Sequence, residues 1–203
     1  MGGNNNGERF TKFTKVILAS GSEIRNEMLN KYFANVLRTS HKVDEEKFKI
    51  SKKTPENIVL KIAKEKALSV VEDFGDEMII ASDQILVCEN KIWSKPKTLQ
   101  AARKKLLFLK NKTHKLYSSI YVVYKQKFYF QQVKVASMFF ANLTQDEIES
   151  YIIANKKTVL TTVGSYKIEE NAKYKFISII KGDVETILGF PIKDLIEKIK
   201  NEE

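Results

Sequence analysis

Met78-Ile79-Ile80-Ala81-Ser82-Asp83-Gln84-Ile85-Leu86-Val87-Cys88 is the stretch whose reading decides the fold. Apolar and β-branched residues in an unbroken run, with no Gly or Pro, predict an extended segment. Ser82, Asp83 and Gln84 interrupt it with polar groups. A carboxylate inside a buried strand is costly unless it is paired, hydrogen-bonded or metal-bound. Something must therefore meet Asp83, and two lysines bear on it: Lys66 from the segment before, and Lys95 of Lys95-Pro96, which follows the turn Glu89-Asn90-Lys91.

On the N-terminal side, Thr54-Pro55-Glu56 starts a helix, with Thr at the N-cap and Pro at the first helical position. The helix is expected to run to about Val71, burying Ile58, Ile62, Ala63, Ala67, Leu68 and Val71. Lys66 adjoins that face, where a lysine alone would snorkel to water. Further back, Val16-Ile17-Leu18-Ala19 reads as a short core strand. Ser20-Gly21-Ser22 turns it into a helix with Ile24, Met28, Leu29, Tyr32 and Phe33 on one face. Either Ser20 and Glu23 form a capping box or Ser22 is the cap. A strand, a small-residue turn and a helix N-terminus make a phosphate seat, to which Arg25 adds a guanidinium. Residues 1–14, rich in Asn and Gly, are expected to be a flexible tail, and 15–203 a single domain. Val36–Thr39 reads as a second strand, followed by a polar loop containing Glu45.

On the C-terminal side, Ile92 and Trp93 form a return strand, and Thr98 caps a helix burying Ala101, Ala102, Leu106 and Leu109. Leu116–Tyr124 and Phe128–Phe140 read as a hairpin around Lys125-Gln126-Lys127. Thr144 and Glu147 form a capping box, with Leu143 and Ile148 as a staple. A small-residue turn, Val163–Glu169, a strand at Phe176–Ile180 and a helix carrying Ile192, Leu195, Ile196 and Ile199 complete the chain.

With 203 residues, 43% of them hydrophobic and 30% charged, the chain has the makings of an ordinary globular core. No apolar run reaches the ~18 residues of a membrane span. Residues 1–10 lack the apolar segment of a secretory signal, and Cys88 has no cysteine to pair with, so a cytoplasmic protein without membrane association is expected. The net charge of +10 suits nucleic acid, acidic membranes or phosphorylated small molecules. The lysines are spread along the chain, and the aromatic-Gly pattern of an RNA-recognition strand is missing, which argues against nucleic acid. No Walker A loop, Gly-x-Gly-x-x-Gly, Cys/His cluster or Gly-x-Ser-x-Gly elbow occurs. What remains is carboxylates (Glu45, Asp83, Glu169), lysines (Lys66, Lys95), Arg25 and serines at a helix start. That inventory suits Mg²⁺ or Mn²⁺, a polyphosphate, and metal-assisted attack of water on phosphorus.

Taken together, these segments resemble the Maf family of nucleoside triphosphate pyrophosphatases over about residues 16–199. Leu18-Ala19-Ser20-Gly21-Ser22-Glu23-Ile24-Arg25 is similar to the family's Leu-Ala-Ser-x-Ser-Pro-x-Arg, Val43-Asp44-Glu45 to its Asp-Glu loop, and Lys66-Ala67 to its helical Lys-Ala. Ala81-Ser82-Asp83-Gln84, Ser94-Lys95-Pro96, Gly164–Glu169 and Gly182–Pro191 match its later motifs. Each motif is short; their order and spacing are specific.

The resemblance implies a mixed α/β fold, ITPase-like, with a long twisted mixed sheet and two lobes around a central cleft. It implies hydrolysis of a nucleoside triphosphate to the monophosphate and pyrophosphate with a divalent cation, and it allows a homodimer. Carried over, Asp83 would activate water or bind the metal, with Glu45 and Glu169 helping to hold it. Ser20, Ser22, Arg25, Lys66 and Lys95 would hold phosphates and neutralise developing charge, and Gln84, Ser165 and Glu169 would contact substrate. Ser82-Asp83-Gln84 and Ser165-Tyr166-Lys167-Ile168-Glu169 resemble the 7-methyl-GTP group more than the dTTP/UTP group. The chain departs from the family at Glu23 (usually Pro), Ile24 (often Arg), Ser118-Ser119 (commonly Thr-Gly) and Glu170-Asn171-Ala172 (usually a Gly pair). A nucleotide- or nucleic-acid-binding regulatory protein on a weakly catalytic Maf scaffold is the competing expectation.

Overall fold

The computed structural model describes residues 9–10, 12–49 and 53–202. In chain order its elements are β1 (Val16–Ala19), α1 (Glu23–Asn30), β2 (Val36–Thr39), α2 (Glu46–Lys49), α3 (Pro55–Leu68), α4 (Val71–Phe74), β3 (Met78–Cys88), β4 (Lys91–Trp93) and α5 (Leu99–Leu109). There follow β5 (Lys112–Tyr124), β6 (Lys127–Phe140), α6 (Gln145–Ala154), α7 (Lys156–Thr161), a 3₁₀ turn (Ile168–Glu170), α8 (Asn171–Tyr174), β7 (Ile177–Lys181), α9 (Val184–Ile187) and α10 (Lys193–Lys200).

The strands form one seven-stranded mixed sheet in the order β2-β1-β3-β5-β6-β7, with β4 paired to β3. β1 runs parallel to both β2 and β3, whereas β3–β4 and β6–β7 are antiparallel. Both tight hairpins turn without glycine. Glu89-Asn90 and Lys125-Gln126 each take two consecutive positive φ values, 50° and 61°, then 50° and 59°. That is the turn whose twist matches the flanking strands. Near the other end of β6, Gly182 has φ +111°, and a Cβ on it would lie 2.6 Å from that of Ala136, so this residue is confined to glycine.

The chain divides into two compact units: Met1–Asp83 with Ser119–Val133 and Leu188–Glu203, and Gln84–Ser118 with Lys134–Ile187. β3, β5 and β6 contribute residues to each.

In the first unit the sheet is covered on both faces. Val16 and Leu18 of β1, with Met78 and Ile80 of β3, pack under α1 and α10 with Phe33, Leu195 and Ile199. Their alternates Ile17, Ala19, Ile79 and Ala81 pack against Ala63, Ala67 and Val70. This explains why β1 and β3 read as continuous apolar runs: parallel strands buried on both sides have no polar face to show. The second unit has its own core, where Leu106, Leu109, Phe140, Tyr151, Tyr166 and Phe176 meet.

Several expectations are corrected. Residues 1–8 and 11 lie outside the described residues, but Phe10 and Phe13 are buried and pack on Phe33. Two large rings beside an apolar strand find a surface to cover, so Phe10 and Phe13, inside the stretch expected to be a tail, belong to the packed core. The helix from Pro55 ends at Leu68, which is exposed, and a separate turn, α4, follows. On α5 the inward set is Ala102, Lys105, Leu106 and Leu109; Ala101 faces out. Thr54, Thr98 and Thr144 cap as expected, each accepting from the backbone three residues on, and Thr144 with Glu147 completes the capping box.

Candidate active site

The first unit gathers six of the expected residues: Ser20, Ser22, Arg25, Glu45, Lys66 and Asp83. β1 delivers Ser20 at the start of α1. No capping box forms here, and Ser22 sits at the N-cap without a side-chain bond. Instead Ser20 Oγ accepts from the Ser22 backbone N–H at 3.2 Å and from Arg25 Nη1 at 3.3 Å. Glu23 is drawn away from the helix start by Arg38 on β2, whose Nη1 lies 2.5 Å from its carboxylate. The pairing follows from register, because Arg38 is opposite Leu18, two residues before the turn.

Arg25 is a knot as well as a charge. Its Nε donates to the Gly189 carbonyl at 3.1 Å and its Nη1 to the Ser82 carbonyl at 2.7 Å. Ser82 Oγ also donates to the Gly189 carbonyl, at 2.8 Å. One guanidinium thus ties α1 to β3 and to the turn before α10. Burial lowers the Arg25 pKa, and the charges of Asp83 and Glu45 oppose that shift. The two carboxylates are therefore near enough to act on it.

At the centre stands Lys66. It is 3% exposed, which overturns the expectation that it snorkels. Its Nζ donates to Asp83 Oδ1 at 2.7 Å and lies 2.6 Å from Glu45 Oε1. Asp83 is 4% exposed, and its second oxygen, Oδ2, is buried with no hydrogen-bond partner among the described residues. Burial pushes the Glu45 carboxyl up, but the Lys66 charge and hydrogen bond, with Lys49 and His41, outweigh it and hold Glu45 at about 2. His41 faces the same group, its Nε2 lying 3.6 Å from Glu45 Oε1. Its Nδ1 accepts from the Val43 backbone N–H at 3.3 Å, which places the neutral ring's proton on Nε2. Burial and Lys66 lower the His41 pKa.

The oxygen set of Asp83 and Glu45 fits a hard divalent cation, and a buried carboxylate oxygen left without a partner is where one would be expected. Among the described residues, no group of three or more His, Cys, Asp or Glu is placed to hold a metal. These two carboxylates would then share the ion with oxygens brought by substrate, as is usual for Mg²⁺ at phosphates.

The second unit holds Gln84, Lys95, Ser165 and Glu169. Gln84 Nε2 donates to Ser118 Oγ at 3.0 Å and to the carbonyls of Thr186 and Ile187 at 3.1 and 2.9 Å. Ser118 Oγ itself donates to Thr186 O at 2.7 Å, so Ser118 has a structural use of its own. Lys95 is exposed just after β4, and Glu169 is exposed in the 3₁₀ turn. Ser165 is fully buried at φ 61°, and its hydroxyl has no partner among the described residues. Non-glycine residues hold that backbone region at a cost, and such strain clusters at functional segments.

The residues that brace this turn were not foreseen. Gly164 has no room for a Cβ, which would fall 2.4 Å from the Tyr166 ring. The Tyr166 hydroxyl shares a hydrogen bond with His114 Nε2, both side chains being buried. Lys105, on the buried stripe of α5, donates to the Val163 carbonyl at 2.8 Å and to that of Ser94. It thereby links the residue before Gly164 to the residue before Lys95. The sequence signal was a lysine one position from Leu106 on an otherwise apolar stripe. At the departure from the family's Gly pair, Glu170 accepts from the Tyr151 hydroxyl at 2.6 Å and the Thr158 hydroxyl at 2.9 Å. Asn171 bonds both backbone groups of Ile177. Side chains fix here what glycines would leave loose.

The Maf-like protein family matches residues 15–202 of this chain. The chain belongs to the Maf family. A dTTP/UTP pyrophosphatase of Bacillus cereus (strain ATCC 10987 / NRS 248) is 32% identical over 188 residues, covering 92% of this chain and 89% of its own. A dTTP/UTP pyrophosphatase of Bacillus anthracis is 31% identical over 188 residues, covering 92% and 94%. Among solved structures, a HAM1 protein from Coxiella burnetii is similar with a TM-score of 0.42 and 12% identity, covering 78% of this chain and 90% of that one. Among the described residues no helix is long and apolar enough to cross a membrane.

Proposed function

We propose that this Maf protein hydrolyses nucleoside triphosphates between the α and β phosphates, adding water to give the monophosphate and pyrophosphate. The observation that carries this is Asp83: a buried carboxylate with one oxygen on Lys66 and the other unpartnered. A fold bears such an oxygen where something else is to meet it. The names of the relatives, dTTP/UTP pyrophosphatases, support the reaction class.

In this reading a Mg²⁺ or Mn²⁺ ion would lie on Asp83 and Glu45 and supply charge neutralisation at the phosphates. Asp83 activates water or holds the cation. The turn Ser20–Ser22 and the first N–H groups of α1 receive phosphate oxygens. Arg25 keeps a positive charge beside them while its Nε and Nη1 brace the turn. Lys66 offsets the carboxylates before substrate arrives and the leaving pyrophosphate afterwards. The roles of Lys95, Gln84, Ser165 and Glu169 rest on the motif match: Lys95 on the phosphates, and Gln84, Ser165 and Glu169 on substrate.

The base is the finer question. The relatives' names favour dTTP and UTP. Ser82-Asp83-Gln84 and Ser165-Tyr166-Lys167-Ile168-Glu169 favour 7-methyl-GTP, a purine whose added positive charge suits an exposed carboxylate such as Glu169. The test is pyrophosphate release from 7-methyl-GTP, GTP, UTP and dTTP with Mg²⁺ or Mn²⁺. Release from at least one supports the reaction, and the ranking assigns the base. Nucleotide binding without release, or salt-sensitive oligonucleotide binding alone, overturns it in favour of a regulatory protein.

A further inference from the structure

We infer that Lys105 is a positioning residue for substrate: its ammonium fixes the spacing between the segment that presents Lys95 and the turn that presents Ser165. The inference rests on the function proposed above, in which Lys95 meets the phosphates and Ser165 belongs to the motif that favours a base.

Lys105 is 2% exposed and shares the buried stripe of α5 with Ala102, Leu106 and Leu109. An aliphatic side chain would fill that place without taking an ammonium out of water, so the charge has a use other than packing. Its partners show the use. Nζ donates to the Val163 carbonyl at 2.8 Å and to the Ser94 carbonyl, and lies 6.0 Å from the centre of the Trp93 ring. Neither segment lies in regular structure at that point. The ladder of β3 and β4 ends at Trp93, opposite Leu86, and α5 starts only at Leu99. Pro96, between them, has no N–H to give to a ladder. On the other side α7 ends at Thr161 and the 3₁₀ turn starts at Ile168. Within that gap the Ser165 N–H donates to the Thr162 carbonyl at 3.2 Å, Ser165 has φ 61°, and Gly164 has no room for a Cβ. The turn is stiff in itself but needs an outside reference to set where it points. Lys105 is that reference, and Trp93 is fastened to the same helix through Phe108, their ring centroids 4.9 Å apart. Lys105→Met keeps the stem and removes the charge and its donors. The two carbonyls then turn to other partners, and Lys95 and Ser165 lose their common fixed point.

The test is a pair of double-mutant cycles on the full chain, read as kcat/KM for pyrophosphate release from its best triphosphate. Lys105→Met is expected to keep the far-ultraviolet circular dichroism spectrum and to lower kcat/KM at least ~10-fold, since small misplacements of substrate contacts are felt strongly. In that background Lys95→Ala and Ser165→Ala should each lower kcat/KM at least ~3-fold less than they do in the wild type, because the fixed point each depends on is already gone. A merely structural role scales every rate by the folded fraction and leaves both cycles additive. Acrylamide quenching of Trp93, the one tryptophan of the chain, reads the placement without substrate and should rise in Lys105→Met. A smaller coupling in either cycle, or quenching equal to wild type, overturns the inference. If Lys105→Met does not fold, Lys105→Gln, whose amide still donates to a carbonyl, takes its place under the same criteria. A wild type that releases no pyrophosphate refutes the function proposed above, and the quenching then decides the placement by itself.

Discussion

Lys66→Ala tests the cluster without any substrate. The substitution removes the cation that Asp83 and Glu45 share, while both carboxylates stay. The Lys66 and Asp83 side chains are 4% and 5% exposed, and that of Glu45 is 34% exposed. Stripping one partner from a buried ion pair costs ~3–5 kcal/mol, because an uncompensated charge is left in a poorly solvated place. Glu45 recovers part of its hydration, which points to the lower end, about 3 kcal/mol at pH 7.5. Asp83→Asn is a much milder change: it keeps the volume and leaves Lys66 on Glu45, so about 1 kcal/mol is expected. The pH dependence separates this account from mere loss of packing. In the wild type Glu45 is held below its ordinary range, so its contribution is present above the unfolded carboxylate pKa and is lost as pH falls toward about 2. In Lys66→Ala that contribution is missing, so the deficit is full at neutral pH and shrinks as pH falls below the unfolded carboxylate pKa. Urea unfolding at pH 7.5 and pH 3, read by far-ultraviolet circular dichroism, measures both variants. A Lys66→Ala loss under about 1 kcal/mol, or one that is the same at both pH values, would refute the reasoning.

The other predictions concern the site and its supports. Asp83→Asn should lower turnover at least ~10²-fold with the circular dichroism spectrum unchanged, and near-normal rates would remove Asp83 from the chemistry. Lys95→Ala should lower the rate at saturating substrate through lost charge stabilisation; an unchanged saturating rate contradicts that role. Burial holds His114 at about 4, so the native protein resists protonation that the unfolded chain accepts. Stability from this group is therefore full above pH ~6.5 and falls by about 3 kcal/mol on the way to pH 4, a slope that His114→Asn should flatten in denaturant titrations. Gly164→Ala should cost about 2 kcal/mol in the same assay, since its Cβ would collide with a Tyr166 ring that His114 holds in place; a thermal midpoint equal to wild type would show that the ring yields.

Much of the scaffold was legible from local rules. β3 was found over its full span because an apolar run without Gly or Pro has few other uses. Thr54, Thr98 and Thr144 announced three helices because a hydroxyl one residue before a helix satisfies a donor that would otherwise face nothing. The short helices α7, α8 and α9 were missed, since four to six residues are too few to display a helical period. Two lobes were implied by the family resemblance, but their bounds were illegible for a topological reason: each unit is assembled from separated stretches of chain, and β3, β5 and β6 contribute residues to both. Local patterning reports a strand's burial and not which body buries it.

The site divides along the same line. Asp83 could be singled out because its type conflicts with its strand, and a conflict of that kind is visible in one dimension. What relieves it is Lys66, 17 residues away on α3, which is shared with Glu45 in the loop before α2, and both are set by packing. The same holds for Arg38 beside Glu23 and for His114 beside Tyr166, pairs separated by 15 and 52 residues. Each was invisible because neither member conflicts with its own element: an arginine on a partly exposed strand, or a histidine opening a β segment, calls for no explanation. Lys105 lies between the two cases. It violates an apolar stripe as plainly as Asp83 violates β3, and its long apolar stem hides the violation by letting a buried position end on two carbonyl oxygens. A charged residue on the buried stripe of a helix thus marks a fixed point of the backbone, here the one that holds the segments leading to Lys95 and Ser165.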